Sequence, residues 1–111
     1  MQSVLLRPQA TVIQPSGSLS SADAIKFQHQ LNAAVLSEQI SHLLVDLGQV
    51  DLIDSTGLMA LVSALSMAQR LNKRLGLCAV PHPVRMILEM TQLDRVFEIF
   101  EGHAAFHEAI A

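Results

Sequence analysis

The chain has 111 residues, half of them apolar and 15% charged, with a formal net charge of -3. That length suits one domain able to bury a core without disulfides or a structural metal, and the composition is too apolar for a disordered chain. The basic residues Arg7, Lys26, Arg70, Lys73, Arg74, Arg85 and Arg95 are scattered, and Trp and Tyr are absent, so there is neither a phosphate-neutralising block nor a base-stacking platform, and nucleic-acid binding is unsupported.

Met1-Gln2-Ser3 lacks the basic start and apolar core of a signal peptide, and no apolar run reaches the roughly 20 residues of a membrane span; a soluble, cytoplasmic protein is expected. Cys78 cannot form an internal disulfide and lies in the apolar run Leu75 to Val80, where a buried inert thiol is expected.

In chain order, Val4 to Leu6 and Ala10 to Gln14 are short β-leaning segments around Arg7-Pro8-Gln9 and predict a hairpin. Pro15 to Ser21 is rich in turn formers, with Ser20 or Ser21 suited to cap a helix that starts near Ala22. Up to about Leu36, the apolar positions Ala24, Phe27, Leu31, Ala34 and Val35 recur at helical spacing. His42 to Leu47 reads as a strand covered on both faces, and a loop containing Gly48 and Asp51 leads to Ile53.

The strongest helix follows Asp54-Ser55-Thr56-Gly57. Leu58, Leu61, Val62, Leu65, Ala68 and Leu71 form its stripe, it fades at Asn72, and Arg70, Lys73 and Arg74 suit the dipole at that end. Leu75 to Val80 predicts another strand stopped by Pro81-His82-Pro83, Val84 to Met90 a short helix, Val96 to Phe100 a final strand and His103 to Ile110 a terminal helix. The order ββαβαβαβα predicts a single α/β domain over residues 1–111, a mixed β-sheet with helices packed against it.

The cluster Asp54-Ser55-Thr56-Gly57 is the most informative place for chemistry, because strand-to-helix turns at a sheet edge are where ligands and partners dock. The same residues also read as a plain helix start, since Asp, Ser and Thr are good N-caps and Gly permits close backbone approach. Counting by fours from Ser55 gives Met59, Ser63 and Met67, a ridge beside the buried stripe that would form an adaptable contact surface or would extend the core.

The segment Val50 to Leu58 (VDLIDSTGL) resembles the signature of STAS domains, in which an apolar strand end leads to Asp-Ser-Ser/Thr-Gly-Leu and then a helix. Gly17 to Leu31 is similar to the Gly-x-Leu-Asp lead-in to the family's first long helix, so the resemblance spans essentially the whole chain. In the bacterial anti-sigma-factor antagonists of that family, the serine after the aspartate is the phosphorylation site, a position held here by Ser55, with Thr56 as the neighbouring alternative. One departure is Ser20, where the antagonists usually carry an acid; the next acid is Asp23.

The resemblance implies a non-enzymatic switch in transcription regulation, without a cofactor of its own. It would sequester an anti-sigma factor that is also the serine kinase when Ser55 is bare, release it when Ser55 is phosphorylated, and be reset by a serine phosphatase. Partner contact is expected from Ser20, Asp23, Asp54, Thr56, Gly57, Met59, Ser63 and Met67, and the low charge permits a monomer or weak dimer. The alternative is a STAS-like accessory subunit of an ABC-type lipid transporter that docks on its ATPase.

The histidines His29, His42, His82, His103 and His107 are spread over separate elements. Only His103 and His107 have i,i+4 spacing, and without a third convergent ligand no metal site is expected. Ser55 lies in no Gly-x-Ser-x-Gly elbow, so serine catalysis is unsupported as well.

Overall fold

The computed structural model describes residues 10–111. Six strands and four helices run in the order β1 (Ala10–Ile13), β2 (Ser16–Leu19), α1 (Ser21–Leu36), β3 (His42–Asp46), β4 (Gln49–Ile53), α2 (Ser55–Arg70), β5 (Arg74–Cys78), α3 (His82–Met90), β6 (Glu98–Phe100) and α4 (His103–Ile110). A short 3-10 turn, Leu93–Arg95, precedes β6, which begins at Glu98, two residues after the expected start of the last strand at Val96.

β1, β3, β5 and β6 form one parallel sheet in that order, and β2 pairs with β4 in a second parallel ladder. After Gln14-Pro15 and Leu47-Gly48 the β1–β3 pairing resumes as β2–β4. Every ladder among the described residues is parallel. The hairpin arm Val4 to Leu6, the expected source of antiparallel pairing, lies outside the described residues.

β2 and β4 correct two expectations. Ser16–Leu19 is a strand where its Ser and Gly content suggested turns, and Gln49–Ile53 is a strand where a loop was expected. The register shifts between Gly17 and Ser18, with Gly17 at φ 77°, so a residue that would end an ordinary strand here forms a bulge within one.

β3 and β5 are covered on both faces, as expected of His42 to Leu47. Leu43, Val45, Leu75 and Leu77 join Phe27, Leu31 and Val35 of α1, the buried stripe of α2, and Val84 and Leu88 of α3 in the main core. On the other face Leu44 and Cys78 meet Phe106 of α4, and Phe100 stacks edge-on to Phe106 at 5.4 Å. Cys78 is fully buried, as expected.

α2 buries a stripe rotated slightly from the expected one: Gly57, Ala60, Leu61, Ala64, Leu65 and Ala68 are inside, Leu58 and Val62 are half-buried, and Leu71 is exposed. Ala60, Ala64 and Ala68 recur at i,i+4 spacing and make a low ridge within the buried face of α2, which packs against α1. Asn72, at φ 58°, ends the helix in the left-handed conformation that asparagine tolerates.

Candidate functional site at the start of α2

The site begins with a register match. Leu19, the last residue of β2, lies opposite Ile53, the last of β4, and the Asp54 N–H donates to the Leu19 carbonyl at 3.3 Å. Both strands then turn directly into helices, α1 at Ser21 and α2 at Ser55. The two helix starts are therefore brought side by side at the carboxyl ends of paired parallel strands, a usual place for ligands in α/β proteins. Ser20 is the N-cap residue of α1 with no side-chain cap bond, and Asp23 lies exposed in its first turn.

Asp54 caps α2. Its backbone is extended, its carbonyl accepts the first helical bond from Leu58 N–H at 2.9 Å, and its Oδ1 accepts from Gly57 N–H at 3.0 Å. Gly57 is buried at a close crossing, where a Cβ would run into the Leu19 carbonyl oxygen and stand 2.9 Å from Ile53 Cγ1. Asp54 and Gly57 are thus the fixed parts of the turn. Ser55 and Thr56 between them are exposed, at the end of the helix where backbone N–H groups and the dipole favour an anion.

The ridge running on from Ser55 divides. Met59 is 59% exposed, whereas Ser63 is half-buried and Met67 is half-buried against the core. The structure therefore brings Asp54, Ser55, Thr56 and Gly57 together with Ser20 across the turn, and Met59 stands one turn further on.

A second polar constellation was not assembled from the sequence. Asp46, at the end of β3, is a buried carboxylate that accepts from Gly48 N–H at 2.9 Å and Gln14 Nε2 at 3.2 Å, and its Oδ2 lies 2.7 Å from His103 Nε2. Burial pushes its carboxyl up, but the Gly48 bond, with the bond and charge of His103 and the Gln14 amide, outweighs that and holds it below its ordinary value. His103 was expected at the surface without convergent partners. It keeps 48% of its side chain exposed, yet its ring meets Asp46. The only local signal, the i,i+4 pair His103 and His107, points elsewhere on α4, because Asp46 lies 57 residues away in sequence.

With this geometry the chain is similar to anti-sigma factor antagonists and, in fold, to STAS domains of sulfate transporters as well. The anti-sigma F factor antagonist of Paenibacillus polymyxa is 22% identical over 91 residues, 82% of this chain and 78% of that protein. An anti-sigma factor antagonist from Mycobacterium paratuberculosis superposes with a TM-score of 0.82 at 22% identity, over 92% of this chain and 86% of that one. The Bacillus cell fate determinant SpoIIAA in its phosphorylated form gives 0.72 at 13% identity, over 97% of each chain. At these identities the solved structures speak for the fold, and a family model of the STAS domain matches residues 3–106. The resemblance carried by VDLIDSTGL thus extends over almost the whole sequence, and the chain belongs to the STAS domain family.

Proposed function

We propose that this domain is an anti-sigma-factor antagonist: a binding module that holds an anti-sigma factor with kinase activity while Ser55 is bare, and releases it once Ser55 is phosphorylated. The observation that carries the reading is Ser55 itself, exposed at the first position of α2 between an engaged cap, Asp54, and a buried glycine. Relatives named as antagonists support it.

A phosphate there adds about -1.5 to -2 charges, three acceptor oxygens and little strain, because a helix start accommodates an anion. The domain stays folded. The cost falls on the complex, where the dianion next to Asp54 is desolvated or meets a like charge, about 2–5 kcal/mol. At 1.4 kcal/mol per tenfold, that amounts to a switch. Thr56 is the neighbouring acceptor. The contact surface would comprise Ser20, Asp23, Asp54, Thr56 and Gly57 around the turn, with Met59 as its adaptable apolar element and Ser63 and Met67 at its margin. A serine phosphatase would reset the domain.

The test is capture from native lysate by wild type, Ser55→Ala and Ser55→Asp, with phosphate mapped on the wild type and melting curves recorded for each. Wild type and Ser55→Ala are expected to recover a kinase-type anti-sigma factor, and Ser55→Asp to lose it by about tenfold or more with its fold intact. If all three recover the same transporter ATPase and Ser55 carries no phosphate, the accessory-subunit reading takes its place.

A further inference from the structure

Asp46 and Cys78 are register partners at the ends of the adjacent parallel strands β3 and β5. Leu44, two residues before Asp46, packs with Cys78 and Phe106, so strand alternation puts Asp46 and Cys78 side by side on the face covered by α4. The first residue of α4 is His103. One carboxylate oxygen of Asp46, the Cys78 sulfur and one His103 ring nitrogen all lie within 4.8 Å of one another, drawn from three different elements. A carboxylate beside a thiol with a histidine over both is unusual in a packed core, where a small apolar residue opposite Asp46 would serve packing as well.

We propose that Asp46, Cys78 and His103 form a binding site for a thiolate-accepting divalent transition ion of the zinc class. The donor set is the argument. Sulfur, imidazole and carboxylate together suit zinc or cobalt, whereas magnesium and calcium take oxygen ligands. The Asp46 carboxylate and a deprotonated Cys78 sulfur together balance the charge of a dication, and three protein ligands leave the fourth tetrahedral position open to water or to the Gln14 side chain, which already reaches Asp46.

The spacing is close to what an ion needs. Bonds of about 2.0–2.3 Å in a tetrahedron put ligand atoms roughly 3.3–3.6 Å apart, so the Asp46–His103 pair opens by less than about 1 Å while the thiol closes in. His103 provides the path, since it is half exposed while Cys78 is buried. Burial, reinforced by the Asp46 charge, pushes the Cys78 thiol up to about 11, so without metal the sulfur keeps its proton. As the metal–sulfur bond forms, that proton leaves for solvent. A bound ion would tie the start of α4 to the ends of β3 and β5.

Cobalt(II) titration of the full chain at neutral pH tests this. Wild type is expected to give tetrahedral d–d absorption and a thiolate-to-cobalt charge-transfer band that saturates at one equivalent, is bleached by zinc(II), and is accompanied by a higher melting temperature. Cys78→Ser should abolish the charge-transfer band, and His103→Ala should weaken affinity at least about tenfold, because losing a direct ligand costs no less than losing an outer partner. Should Cys78→Ser fail to fold, His103→Ala decides, since its side chain is half exposed and its truncation leaves the core filled. The proposal falls if wild type shows no charge-transfer band, or if binding survives His103→Ala and is lost with His107→Ala, which would mark a surface histidine site.

Discussion

Asp54 and Gly57 do their work through the backbone on either side of Ser55. The Asp54 carboxylate accepts the Gly57 N–H, and the absent Cβ of Gly57 lets the first turn of α2 close on the Leu19 carbonyl. Asp54→Ala is expected to cost about 1 kcal/mol, within the 0.5–2 kcal/mol range of lost caps, and Asp54→Asn much less. Gly57→Ala forces β2 and α2 apart at a backbone contact and should cost about 1–3 kcal/mol. Urea unfolding of the three variants checks this order. Equal losses for Asp54→Ala and Asp54→Asn would mean that the cap bond contributes little. Because both residues act on one turn, the double variant should depart from additivity.

Helix ends show how charge is used at the scale of elements. Arg70, Lys73 and Arg74 were all expected to serve the C-terminus of α2, yet each has a different duty. Arg70 is exposed in the last turn of α2. Lys73 reaches across to the end of α1, where its ammonium donates to the carbonyls of Val35 at 2.5 Å and Ser37 at 2.6 Å. The Val35 carbonyl is one that α1 itself leaves without a helical partner, the Ser37 carbonyl just beyond it also accepts from Ile40 N–H at 3.2 Å, and α1 has no basic residue in its own last turn. Lys73→Ala is accordingly expected to cost about 1.5–3 kcal/mol, the range for hydrogen bonds to a charged group, against a few tenths for Arg70→Ala. Hydrogen exchange would show where: amide protection should fall at the end of α1 in the Lys73 variant.

At the scale of the molecule, β6 lies at the edge of the sheet and α4 covers one face of β3, β5 and β6, and the two are joined to the rest by a clamp and a small second core. Arg74 of β5 donates to both carboxylate oxygens of Glu98 in β6, at 2.7 and 2.6 Å, and to the carbonyl of Ala109 in α4 at 3.1 Å. The Arg74 bond, against a smaller opposing effect of burial and with added help from the Arg74 charge, holds the Glu98 carboxyl below its ordinary value of 4.5. A carboxyl depressed in the folded state contributes stability that is complete above the unfolded value and is lost as pH falls through the folded one. Glu98→Gln should therefore destabilise at neutral pH and lose its effect progressively in acid below 4.5. Both side chains are more than a third exposed, so screening keeps the loss at neutral pH below about 1 kcal/mol. Urea midpoints of wild type and variant across that pH range measure it, and a constant gap would show that Glu98 acts through packing instead of charge.

Much of the fold was legible in the residues because the deciding interactions are local. The stripe of α1, the Asp54 cap and the double-sided burial of β3 depend on neighbours within one or two turns or on simple alternation, and so does the turn that presents Ser55. β2 and β4 were not legible. SGSL and QVDLI carry little strand signal of their own, and each is a strand because the other lies beside it, more than thirty residues away in sequence. The duties of Lys73 and Arg74 were hidden likewise, since long cationic side chains find partners in space that their own helix does not announce. So it is with Asp46, Cys78 and His103: parallel register puts the first two side by side, and the docking of α4 brings the third. By itself the sequence determined the helices, the core and the motif around Ser55, whose causes are short-range. Only the tertiary structure decided which polar groups meet across β3, β5 and α4, because those contacts exist only once the register and the helix packing have formed.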